Sequence, residues 1–289
     1  MSFIKQCKGT DYNNLTKVDT DINKWYYSTK YDGHYVQIHY SDGEAILYTS
    51  GGKPFKVDSL SSQLDYLFGK DNVILEAEFI GLTSGKLGDR AKCGKLTTLR
   101  TEYAKGIPST INQMDLFMIF DIIDFNRPFS ERLEYLKSIF DNNNATKNFK
   151  LVEYNSVEVS LNNLYTKLIT MVEPGMEGIY AKLSTHMYIE GKRVKSAIKI
   201  KPRYTADLLC IGVELGNGKY DGMIGSLILK DSKGREVQVG SGLDDNLRSK
   251  APGYFINKVI EIKYEQILDT YIQPTFERIR DDKQKTEID

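Results

Sequence analysis

Trp25-Tyr26-Tyr27-Ser28-Thr29-Lys30-Tyr31-Asp32-Gly33 brings a lysine to the end of a strand-like run. Residues 25–28 read as a strand and Tyr35 opens the next, so Lys30 falls at a sheet end beside the Asp32-Gly33 turn. A lysine so placed can be a nucleophile. An unperturbed lysine leaves only roughly one molecule in 2,500 unprotonated at pH 7, so attack on a phosphate needs neighbouring cations or a metal to release the proton. Alone, Lys30-Tyr31-Asp32-Gly33 is weak, because exposed turn lysines are common.

An ordered series of further elements lifts it. Leu75-Glu76-Ala77-Glu78-Phe79 places two acids on one face of a strand, held at its edge by apolar neighbours. Phe120-Asp121 ends another apolar strand. Glu177-Gly178-Ile179-Tyr180-Ala181-Lys182 follows the turn Pro174-Gly175 and puts an acid and a base at the two ends of a short buried strand. After Arg193, Ala197-Ile198-Lys199-Ile200-Lys201 alternates, sending both lysines to one face and both isoleucines to the other. Adjacent lysines repel, and their juxtaposition makes most sense opposite a phosphate whose charge they stabilise.

Outward from these motifs, residues 35–40, 45–48, 73–80 and 116–123 read as strands. Ser130 is the expected N-cap of a helix carrying Leu133, Leu136, Ile139 and Phe140, and Ser160 starts a second with Leu161, Leu164, Leu168 and Ile169. Strands and helices mix without regular alternation, which predicts an α+β fold. Beyond Lys201-Pro202-Arg203 come closely spaced strands at 206–213, 223–230, 236–239 and 258–264, separated by Gly216-Asn217-Gly218 and Ser232-Lys233-Gly234. That spacing suggests a small β-barrel, with a five-stranded oligonucleotide-binding barrel leading, and it puts the domain boundary between 1–203 and 204–289.

Composition restrains these expectations. The 39 Lys and Arg balance 39 Asp and Glu, which weighs against a nucleic-acid partner unless the basic residues bunch. They do, in one run holding Lys86, Arg90, Lys92, Lys95, Arg100 and Lys105 and in another from Lys192 to Arg203. Cys7, Cys93 and Cys210 are odd in number and far apart, as expected of reduced thiols. No stretch nears the roughly 18 apolar residues of a membrane span and the start lacks a secretory signal, so an intracellular, cytoplasmic location with no membrane partner is expected.

The ordered set resembles the nucleotidyltransferase motifs of ATP-dependent DNA ligases, including the small viral and phage enzymes, and Phe276-Glu277-Arg278-Ile279-Arg280-Asp281-Asp282-Lys283 is similar to the last of them. The resemblance spans about residues 25–283. It implies an adenylation domain of antiparallel sheets and flanking helices, followed by an oligonucleotide-binding barrel. It further implies an ATP-dependent, Mg²⁺-assisted enzyme, acting as a monomer on nicked duplex DNA in replication, repair or recombination. Lys30, in the motif with Asp32, would carry AMP. Glu78 would hold the ribose, Phe120 would stack on adenine, and Lys199, Lys201 and the upstream Arg193 would face the α-phosphate. Glu177, with Glu78, would bind the metal, while Arg280, Asp282 and Lys283 would orient the pyrophosphate leaving group. Lys86, Arg90, Lys92 and Lys95 would grip DNA.

The chain departs from the family pattern at two arginines: Tyr35 stands where the first motif continues to an arginine, and Ser50-Gly51-Gly52-Lys53 replaces a Ser-Arg element. Lys53 lacks the bidentate fork of arginine. The 29 residues before Lys30 are too few for a helical clamp, and the 213–223 turn is too short for an encircling hairpin. RNA ligases and capping guanylyltransferases share most motifs, and a catalytically silent nucleic-acid-binding module is the remaining alternative.

Overall fold

The computed structural model describes all residues except 1, 16–18, 82–94, 110, 113, 142–145, 173–176 and 268. The chain divides into two compact units, Met1–Lys201 and Pro202–Asp289. Strands and helices mix in the first and strands dominate the second, giving the α+β class.

The first unit begins with β1 (Lys8–Asp11), β2 (Ile22–Lys30), β3 (His34–Ser41), β4 (Glu44–Thr49), β5 (Pro54–Phe55), α1 (Asp58–Phe68) and β6 (Val73–Gly81). It continues through α2 (Lys95–Ala104), β7 (Asp115–Ile122), α3 (Phe129–Phe140), β8 (Phe149–Leu151), β9 (Asn155–Ser160), α4 (Leu161–Ile169), β10 (Gly178–Leu183) and β11 (Arg193–Ile200). These strands form two sheets, ordered β1-β11-β10-β2-β9 and β5-β4-β3-β6-β7-β8. Leu60, Leu64, Leu67 and Phe68 recur at helical spacing in α1 and pack with Val36, Ile38, Leu75 and Ala77 of the larger sheet. Leu161, Leu164 and Leu168 of α4 cover the smaller sheet in the same way.

β3 is buried on both faces, so polar Gln37 and His39 lie inside. Gln37 exchanges two 2.9 Å hydrogen bonds with the backbone of Ile4, and the N-terminal segment thereby covers that face. The expected cap at Ser130 is displaced: α3 starts at Phe129 after Pro128, and no side chain caps it. Its first free amides, of Phe129 and Ser130, donate instead to the carbonyls of His186 and Ser184, so distant backbone does the work of a cap. Ser160 does occupy the N-cap position of α4, again without a side-chain bond.

The second unit comprises β12 (Tyr204–Leu215), β13 (Ile224–Lys230), β14 (Glu236–Val239), α5 (Asp245–Arg248), β15 (Val259–Tyr264), β16 (Gln266–Ile267), β17 (Tyr271–Ile272) and β18 (Thr275–Ile279). Five of its strands form an antiparallel sheet ordered β14-β13-β12-β15-β18 around one core that includes Leu208, Leu227, Leu229, Phe255 and Ile260. Buried Arg248 fastens α5 to this core by donating to the carbonyls of Ile224, Gly225 and Gly240.

Candidate active site

β2 delivers Lys30 because its last residue pairs with Gly178, the first of β10, while β10 pairs on its other side with β11 through Ile179–Ile200 and Tyr180–Lys199. The ends of three strands thus meet at one point. Gly178 sits at φ +147, and a Cβ there would run into the Ile200 carbonyl, so only glycine allows this approach. Immediately before it, Glu177 accepts hydrogen bonds from the ammonium of Lys30 at one oxygen and of Lys201, at 3.0 Å, at the other. Burial pushes the Glu177 carboxyl up, but Lys30 and Lys201 outweigh it and hold it below the usual carboxylate range. Lys199 is half-buried, and desolvation together with Lys30, Arg193 and Lys201 draws its ammonium below the ordinary lysine range.

β3 and β6 bring the second half of the site. Glu78 accepts the Gly33 amide at 3.0 Å, which ties the turn after Lys30 to the larger sheet. Here too the backbones approach closely, since a Cβ on Gly33 would meet the Phe79 carbonyl. Between the sheets lies a cavity of about 330 Å³ lined by Lys30, Glu78, Phe120, Arg193 and Lys199. Five of the sequence-derived residues therefore share one space. Asp32 and Glu177 lie in an adjoining recess of about 240 Å³, which Lys30 and Glu78 also line.

Lys182, the base at the far end of the Glu177 motif, and Tyr180 within it also line the cavity, and His186, Tyr188 and Gln6 to Gly9 of the N-terminal segment add walls that no sequence motif announced. Lys182 lies 5.3 Å from the Phe120 ring centroid and donates to Asp121 at 2.6 Å, while Arg132 binds the same carboxylate through Nε and Nη2. Burial pushes Asp121 up, but those two cations overcome it and hold it down at about 2. One strand over, Glu76 is paired in register with Asp121 and meets only hydroxyls: Tyr35 donates to its Oε1 at 2.7 Å and Tyr188 at 2.9 Å. Burial and the Asp121 charge push it up to about 7. Tyr35, in the place of the family's arginine, thus supports a carboxyl by hydrogen bonding without neutralising it. Lys53 is exposed after a tight turn in which its amide reaches Thr49 Oγ1, whereas Ser50 lines the smaller recess.

Arg280, Asp282 and Lys283 belong to the second unit. Lys86, Arg90 and Lys92 fall outside the described residues, and so do Cys93 and the Pro174-Gly175 turn. Lys95 opens α2 and pairs at 2.6 Å with Asp115. Among the described residues no cluster of three His, Cys, Asp or Glu side chains is ready to hold a metal. Glu78 and Glu177 nonetheless line one recess beside Lys30, a donor set that suits Mg²⁺, which commonly uses one or two carboxylates and takes its remaining oxygens from substrate phosphates and water.

A lysine amid cations at the meeting of strand ends, with an acid and an aromatic ring across a cavity, defines a nucleotidyltransferase site. Residues 9–201 match the model of the ATP dependent DNA ligase domain and residues 215–280 that of the DNA ligase OB-like domain. The chain belongs to the ATP-dependent DNA ligase family. A DNA ligase of Methanocorpusculum labreanum is 28% identical over 301 residues, covering 90% of this chain and 52% of the relative. One from Methanococcus maripaludis is 28% identical over 289 residues, covering 88% and 49%. The chain thus spans about half the length of these relatives. In fold it is similar to a Lig E DNA ligase, with a TM-score of 0.68 and 20% identity over 96% of this chain and 100% of the other. The ATP-dependent ligase of bacteriophage T7, solved with ATP, gives 0.52 at 16% identity over 96% and 98%.

Proposed function

We propose that this chain is an ATP-dependent DNA ligase that seals nicks between a 3′-hydroxyl and a 5′-phosphate in duplex DNA. The observation that carries the proposal is the Glu177 bridge between Lys30 and Lys201, set against a cavity that also takes in Lys199, Glu78 and Phe120. In the first step Lys30 Nζ attacks the α-phosphorus of ATP, the phosphorus–oxygen bond to pyrophosphate breaks, and AMP stays on the lysine. Glu177 aims the amine and is the nearest acceptor for the proton it must shed. Lys199, Lys201 and Arg193 offset charge on the α-phosphate, Glu78 holds the ribose and Phe120 stacks on adenine. AMP then passes to the 5′-phosphate of the nick, and the 3′-hydroxyl, with Asp32 beside Lys30, displaces AMP to form the phosphodiester. Glu177 and Glu78 would hold Mg²⁺, which supplies charge neutralisation at the transferring phosphate.

In this reading 1–203 is the adenylation domain and 204–289 the oligonucleotide-binding domain, whose Arg280, Asp282 and Lys283 serve the leaving pyrophosphate. The protein acts as an intracellular monomer. Lys86, Arg90, Lys92 and Lys95 contact duplex phosphates. Because Lys95 is also tied to Asp115, Lys92→Ala is the cleaner variant: it should weaken nicked-DNA binding and spare nucleotide loading.

The deciding experiment incubates the protein with Mg²⁺ and α-labelled ATP or GTP, follows label on the denatured chain, and repeats with Lys30→Ala. Label from ATP alone, absent in the variant and discharged onto nicked DNA with sealing, is the expected result. Discharge confined to nicked RNA would make the protein an RNA ligase, label from GTP a capping-type enzyme, and no label from either a binding module.

A further inference from the structure

Glu76, Glu78 and Asp121 all line the cavity of the first unit, and they meet it differently. Asp121 is filled: its Oδ1 accepts from Arg132 Nε and the Ile122 amide, both at 2.9 Å, and its Oδ2 from Lys182 at 2.6 Å and Arg132 Nη2 at 3.0 Å. Glu78 accepts the Gly33 amide. Glu76 is only 2% exposed, yet its bonds from Tyr35 and Tyr188 both end on Oε1, and Oε2 accepts none from the described residues. A buried carboxyl oxygen without a donor is costly, and this one belongs to a wall of the cavity.

The polarity at Glu76 is fixed from behind. The Tyr188 hydroxyl oxygen accepts the Cys7 amide at 3.2 Å, and the Tyr35 hydroxyl oxygen accepts Gln37 Nε2 at 3.1 Å. Gln37 cannot be turned over, because its Oε1 accepts the Ile4 amide while its Nε2 donates to the Ile4 carbonyl. Both hydroxyl protons therefore point at Glu76 Oε1, and Oε2 is the acceptor offered to a ligand. Glu76 and Glu78 share a face of β6 about 7 Å apart, with Glu76 the farther from the turn after Lys30. Phe120 flanks it. Glu76 pairs with Asp121 and Ala77 with Ile119, so Phe120 is the extra residue of a bulge, and consecutive Phe120 and Asp121 both come to line the cavity.

We propose that Glu76 selects the base: with a purine stacked on Phe120, Oε2 accepts the exocyclic amino group of adenine, and guanine, which sets a carbonyl oxygen there, is refused. Placing the ribose at Glu78 and the base at Phe120 rests on the adenylyl-transfer reading. Capture of guanine through its N1–H and N2 amino group would need both carboxylate oxygens, and Oε1 is already filled by the two hydroxyls.

Binding of AMP, GMP and purine riboside 5′-monophosphate, which lacks the amino group, is measured by titration calorimetry on the full chain, shown by intact mass to carry no nucleotide. The titrations are run at pH 8, above the value of about 7 to which burial and Asp121 push Glu76, so that the carboxylate is ionised. Wild type should bind AMP about ten-fold or more tighter than either analogue, the difference expected of one charge-assisted hydrogen bond. In Glu76→Gln the two hydroxyls keep the amide oxygen and the amide nitrogen faces the cavity, so a donor replaces the acceptor. GMP should then gain and AMP lose about ten-fold each, with purine riboside monophosphate changed less than about two-fold. Wild type that binds AMP and purine riboside monophosphate equally, or binds none of the three, overturns the proposal, and so does a folded Glu76→Gln in which all three weaken in parallel. Should that variant fail to fold, Tyr188→Phe, which opens Oε1, should narrow the preference for AMP over GMP by about three-fold or more, and an unchanged ratio overturns the proposal. Base selection by Glu76 in a protein that takes no label from ATP leaves the site standing and removes the ligase reading, whereas label without selection at Glu76 removes this proposal alone.

Discussion

Glu76 and Asp121 face each other across neighbouring strands of one sheet, both buried, and they are driven in opposite directions. Asp121 is gripped by Arg132 and Lys182 and stays ionised down to about pH 2, whereas Glu76, gripped by Tyr35 and Tyr188, is pushed up to about 7. Burial acts on both alike. What separates them is whether the donor carries charge, so the hydroxyls of Tyr35 and Tyr188 leave one carboxyl of the cavity wall poised where Arg132 and Lys182 fix the other as an anion.

The largest effect should come from breaking the charged member. Asp121→Asn leaves Arg132 and Lys182 buried without a counter-charge and should destabilise the first unit by about 3–5 kcal/mol, read from urea unfolding. A change of less than about 1 kcal/mol would mean that the cations find other partners.

Next is the pH dependence. Between the ordinary carboxyl value of 4.5 and about 7, folded Glu76 keeps a proton that the unfolded chain has lost, so its contribution to stability declines as pH rises through that window and is level above it. Asp121 works in reverse, adding stability above 3.8 that is lost as pH falls toward 2. Buried His39 and His186, both drawn down to about 4 by desolvation, add stability as pH rises through the same window, so Glu76→Gln should tilt the profile between pH 4.5 and 7 further toward rising stability and leave the acid limb in place. An unchanged slope in that window would remove Glu76 as a contributor to it.

The smallest effect sharpens the comparison at its origin. Tyr35→Phe removes one hydrogen bond that favours the ionised Glu76, so it should cost about 1 kcal/mol and move the Glu76 titration, followed by carbon NMR, still higher. Tyr35→Arg should move the same titration downward. A titration that ignores both variants would show that burial alone sets it.

Much of this site was legible because its chemistry sits on strand ends, where a period of two fixes which residues share a face. Lys30, Glu78, Phe120 and Lys199 each lie on or at the end of a strand read from the sequence, and all four line one cavity. What escaped came from pairings distant along the chain. β1 runs parallel to β11, with Lys8 opposite Arg193, and brings Gln6 to Gly9 to the cavity without any local pattern to announce it. Tyr188 belongs to a connection between strands, and nothing near it in sequence names Glu76 as its partner. Ser130 misled for a related reason: the amides a cap would satisfy were taken by carbonyls 54 or more residues away, His186 and Ser184 among them. By contrast α4 was readable from its leucine spacing.

Lys30 ends β2, and no other lysine or arginine occurs until Lys53, beyond the β3–β4 hairpin. Trypsin should release peptides 25–30 and 31–56 from the uncharged protein, since Pro54 shields the bond after Lys53. A lysine bearing AMP is no longer cut, and the two would stay joined as one fragment, 25–56. On the proposed function, the placement of a single strand end would write the loading state of Lys30 into the peptide map, where mass spectrometry can read it without a radioactive label.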